Sequence, residues 1–67
     1  MNTYEIRILS LLDLSWKDTF DVEVFSHDQT EEQTVLRGVW DQAKLHGILS
    51  RVHAMGLMLI SVQLISK

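Results

Sequence analysis

A chain of 67 residues, 46% hydrophobic, has the length of one small domain and is too apolar to be disordered. Its net charge of −3 speaks against a protein that neutralises phosphates along a nucleic acid. Cys is absent, which removes disulfides and thiolate metal sites together.

Tyr4 to Leu11 alternates, with Tyr4, Ile6 and Ile8 on one side and Glu5, Arg7 and Leu9 on the other. That period of two predicts a strand. The stretch from Asp13 to Asp18 reads as a loop or short turn. Phe20 to Phe25 predicts a second strand, with Phe20, Val22 and Val24 facing one way and Asp21, Glu23 and Phe25 the other. Ser26 to Glu32 is polar throughout and reads as a solvated connection. Gln33 to Val39 reads as a third strand.

The helix has the clearest signal. Asp41 suits the N-cap, where its carboxylate accepts from the free amides of the first turn. Trp40 before it and Leu45 after it occupy the positions of a hydrophobic staple. Leu45, Ile48, Leu49, Val52 and Met55 then form one apolar stripe at three- and four-residue spacing. Gly56 is placed to end the helix in the left-handed conformation. Gly47 costs about 1 kcal/mol relative to Ala inside a helix; it either permits close approach of another backbone or is simply tolerated.

Leu57 to Ile65 predicts the last strand. Met58, Ile60, Val62 and Leu64 fall on one side and Leu57 and Leu59 on the other, as in a strand buried on both faces. The order β-β-β-α-β gives an α+β domain over residues 1–67: a four-stranded, mostly antiparallel sheet with one amphipathic helix on one face. The last strand is expected to run parallel to the third or to lie beside the first.

One helix covers one face of such a sheet. The other face is expected to carry Leu9, Leu11, Phe25 and either set from the last strand, with Leu57 and Leu59 as interface candidates there. Monomers rarely leave so large an apolar patch open. A chain this small also gains little from its own core. Burial against a second copy or another protein is therefore expected. The alternative is that Trp16 and its loop fold back over the patch.

Candidate chemistry is sparse. His46 and His53 lie two helical turns apart, roughly 10 Å along the axis, too far to share a metal ion. His27 neighbours Asp28, Glu31 and Glu32, which reads as an acidic turn before it reads as a metal site. Trp16 sits in a loop, where it either caps the core or presents a surface to a flat ligand. No cofactor, metal or catalytic residue is assigned. Arg7, Lys17, Arg37, Lys44, Arg51 and Lys67 are scattered, so neither nucleic acid nor a membrane surface is expected as a partner. The start carries no basic leader, and the longest apolar run falls far short of the ~20 residues of a membrane span, so the cytoplasm is the expected location.

Val39-Trp40-Asp41-Gln42-Ala43-Lys44-Leu45-His46-Gly47-Ile48-Leu49, with Met55-Gly56-Leu57 and Leu59-Ile60-Ser61-Val62 behind it, resembles a group of small bacterial proteins with the pattern DQAxLHGxL. Trp16-Lys17-Asp18-Thr19-Phe20 is similar to that group's W-x-D-x-F. Thr19 and Lys44 depart from it, both as surface variation. The resemblance implies a free-standing bacterial domain of unknown function and transfers no catalytic role. The expected function is a non-catalytic interaction or regulatory module, self-associating through the uncovered sheet face or a strand edge. A small-molecule sensor with a site between subunits, near Trp16 and His46, is the alternative. A His-dependent enzyme stands third.

Overall fold

The computed structural model describes residues 2–66. Four strands form one sheet: β1 (Asn2–Leu9), β2 (Val24–Asp28), β3 (Gln33–Trp40) and β4 (Met58–Ser66). A short helix α1 (Ser15–Thr19) follows β1, and the main helix α2 (Gln42–Ala54) joins β3 to β4. The spatial order is β2-β3-β1-β4, and every neighbouring pair is antiparallel. β4 therefore runs in the same direction as β3, with β1 between them. Both expected placements of the last strand hold at once.

The core lies on one side of the two central strands. Tyr4, Ile6 and Ile8 of β1 stand beside Gly38, Leu36 and Thr34 of β3, as the register dictates. Leu45, Ile48 and Val52 of α2 close over them, joined by Leu12, Trp16 and Val22. Asp41 caps α2, its Oδ1 accepting from the Lys44 amide at 2.8 Å. Gly56 ends the helical turn at φ +69°, a left-handed conformation that favours glycine.

Trp40 joins the segment before β2 to the end of β3. It is fully buried, and its Nε1 donates to the Phe20 carbonyl at 2.8 Å. Its ring lies back along β3 over Gly38. A Cβ at Gly38 would sit 2.5 Å from Cζ2 of that ring. The close-packed glycine is therefore Gly38. Gly47 is the tolerated one, because open space surrounds the position its Cβ would take.

Two local differences from the sequence pattern follow from tertiary pairing. The segment expected as a loop turns once as α1, which brings Trp16 inward against Phe20, with ring centroids 5.3 Å apart. β2 starts at Val24 rather than Phe20, because Phe20 and Val22 pack on the core while Asp21, at φ 53°, turns the chain. Phe25 then pairs with Leu36, and Val24 with Arg37. Phe25 accordingly lies on the helix-covered face, partly buried, and not on the open face expected for it.

Candidate functional site

β4 is the element that the fold leaves unfinished. It contributes no fully buried side chain, so the expectation of a strand buried on both faces is corrected. Position in the sheet explains this: β4 is an edge strand, while β1 and β3 hold the centre. Met58 is 63% exposed, and even Val62, the most covered of its large apolar residues, is 37% exposed. Leu59, Ile60, Leu64 and Ile65 fall between these limits.

The pairing of β4 with β1 slips twice, once between Arg7 and Ile8 and once between Thr3 and Tyr4. Each slip leaves one extra residue in β4, Ile60 and Ile65 respectively. An extra residue resets the alternation. Leu59 then sits opposite Ile8, Val62 opposite Ile6 and Leu64 opposite Tyr4. All three join the helix side as an apolar row that α2 does not cover. Met58 moves to the other face, opposite Leu9.

The open face of the sheet is more polar than expected. Its centre is Glu5, only 6% exposed, whose Oε1 accepts from Arg37 Nη2 at 2.7 Å. Arg7 Nε lies 3.5 Å from the other carboxylate oxygen. The Arg37 hydrogen bond holds the Glu5 carboxyl below its ordinary range; burial opposes this, and the Arg7 charge adds to it. Ser61 and Gln63 extend the polar strip onto β4, opposite Arg7 and Glu5. The exposed apolar residues Val24, Val39 and the pair Leu9 and Met58 lie around that strip. At an exposed corner, the Ser15 hydroxyl and amide both donate to Asp13, lowering its carboxyl pKa.

The residues singled out by sequence reach different environments. Leu9, Leu11 and Leu59 are exposed, while Phe25 and Leu57 pack partly into the core. Trp16 is 7% exposed, so its ring fills the core and is not presented to a ligand. His46 is exposed on α2. His27 Nε2 lies 2.7 Å from the Leu12 carbonyl and its ring meets Phe25 edge-on, which ties β2 to the segment after β1. No cavity is found among the described residues, and no group of three metal-ligating side chains. No described helix is long and apolar enough to cross a membrane.

The row of Leu59, Val62 and Leu64 had no clear sequence signal, because β4 is apolar in any register. The family model for a domain of unknown function, DUF8691, matches residues 3–63. The chain belongs to that family. DUF8691 thus takes in the four strands and both helices, short of the last residues of β4. Neither a curated protein nor a solved structure matches this DUF8691 chain.

Proposed function

We propose that this DUF8691 protein is a small, non-catalytic interaction module of the bacterial cytoplasm that works by self-association through the β4 edge. One observation carries the reading: nine consecutive residues of edge strand, Met58–Ser66, contain no charge and are mostly exposed. Natural sheets guard an edge with Lys, Pro or extreme shortness, since its free N–H and C=O groups template further strands. The opposite edge, β2, follows that rule: it has five residues and ends in Asp28. β4 has no such guard beyond its irregularities at Ile60 and Ile65, and a long, uncharged apolar edge fits a strand meant to be covered. The lack of Cys suits a reducing compartment, and the resemblance of the Trp40–Leu49 stretch suits a bacterial source. With Trp16 enclosed in the core, a ligand site beside it has no support.

Two measurements on one sample test the reading. Light scattering over a dilution series is expected to report a mass above that of one chain. Amide hydrogen exchange is expected to show β4 protection rising with concentration. Association with β4 amides left unprotected would remove the β4 edge from the interface, and a single-chain mass at every concentration would end the proposal of self-association.

A further inference from the structure

β4 has an internal symmetry of polarity. Around Val62 the sequence reads Leu59-Ile60-Ser61-Val62-Gln63-Leu64-Ile65. Ser61 mirrors Gln63, Ile60 mirrors Leu64, and Leu59 mirrors Ile65. Two identical strands pair antiparallel only about a two-fold axis, which makes every contact reciprocal. A polarity pattern that is its own mirror image matches such an axis and is not required by any other partner.

We infer that the occupant of the β4 edge is β4 of a second copy, antiparallel and centred on Val62, giving one continuous eight-stranded sheet. This rests on the self-association proposed above and adds the partner strand and its register. In this arrangement Val62 faces the partner's Val62, and Ile60 faces the partner's Leu64. On the open side Ser61 faces the partner's Gln63. Ser61 Oγ has no hydrogen-bond partner within one copy, and a turn of its side chain toward the seam brings it within reach of the partner's carboxamide. The regular stretch Ser61–Leu64 lies at the seam, with the irregular Ile60 at its end, opposite the partner's Leu64, and Ile65 beyond it.

A two-fold axis perpendicular to the sheet keeps both α2 helices on the same side. The two rows of Leu59, Val62 and Leu64 then merge into one apolar strip between the helices. No charge opposes another at the seam, because Met58–Ser66 has none.

The absence of native Cys makes the register directly readable. Across an antiparallel pair, directly opposed Cα atoms lie about 4.5–5.5 Å apart, within disulfide reach. Val62→Cys is therefore expected to form a covalent dimer under mild oxidation. Leu64→Cys is expected to stay uncrosslinked, because two Leu64 positions would stand roughly 13 Å apart. Both sites are partly exposed, and native mass and circular dichroism confirm that each variant folds. A dimer with protected β4 amides that crosslinks through Leu64→Cys but not Val62→Cys would overturn the register while leaving the β4 edge as the interface. A monomer at every concentration would overturn the inference altogether.

Discussion

Glu5 and Arg37 stand directly opposite each other on β1 and β3, and their side chains meet in a 2.7 Å hydrogen bond on the open face of the sheet. The contact joins the two central strands on the side that no helix covers. It lets a carboxylate be enclosed where an apolar residue would be the default, and it keeps that face from being uniformly sticky.

Acid should weaken this pair. Arg37, the leading cause, depresses the carboxyl of Glu5 in the folded state. A depressed folded pKa gives stability that is complete above the unfolded value of about 4.3 and is lost as pH falls through the folded value. Glu5→Gln is therefore expected to lower stability by about 1–2 kcal/mol at pH 7. The difference from wild type should shrink as pH drops below about 4. Urea unfolding at neutral and acid pH checks this, and an equal deficit at both would assign Glu5 to packing alone.

Two glycines should respond with opposite signs. Gly38→Ala drives a methyl into the buried Trp40 ring and is expected to destabilise by about 1–3 kcal/mol. Gly47→Ala meets open space inside α2 and is expected to stabilise by about 1 kcal/mol. Thermal or urea unfolding of the two variants side by side decides it.

Thr34 is the buried polar residue that fastens the segment after β1. Its Oγ1 donates to the Ser10 carbonyl at 2.6 Å and accepts from the Leu12 amide at 2.9 Å. Thr34→Val keeps the shape and strands both backbone groups. A loss of roughly 2–3 kcal/mol is expected in urea unfolding, with faster hydrogen exchange at the Leu12 amide.

A charge placed on the exposed row should separate assembly from folding. Leu64→Lys supplies the kind of edge guard that β4 lacks. It is expected to shift light-scattering mass toward a single chain while changing the stability of that chain by less than about 0.5 kcal/mol. Unchanged mass would mean that the interface lies away from Leu64.

How much of this was legible depended on whether the signal was local. Asp41 and Gly56 act within a turn of where they stand, and their spacing placed α2 within a residue or two. The Tyr4, Ile6, Ile8 face was legible because β1 alternates without interruption. β4 was not, because apolarity reports what a strand would bury and says nothing of what covers it. Its slip at Ile60 also exchanges the sides of Met58 and Leu59, which no periodicity reveals. Phe25 went to the wrong face because the turn at Asp21 breaks the phase of an apparently continuous alternation. Thr34 carried no signal, since its partners at Ser10 and Leu12 are brought to it only by the fold.

The place of β1 between β3 and β4 also governs how the molecule must assemble. β1 is synthesised before either of its neighbours, and Tyr4 finds Leu64 only after the intervening strands and α2 exist. Among the described strand pairs only β2–β3 joins sequence neighbours. The nucleus must therefore close long loops before most of its contacts reward it, and folding should fall toward the millisecond-to-second end of the range for domains of this size. Until that closure an emerging chain keeps Ile6 and Ile8 without a sheet around them, which makes the interval between translation and collapse its most aggregation-prone period.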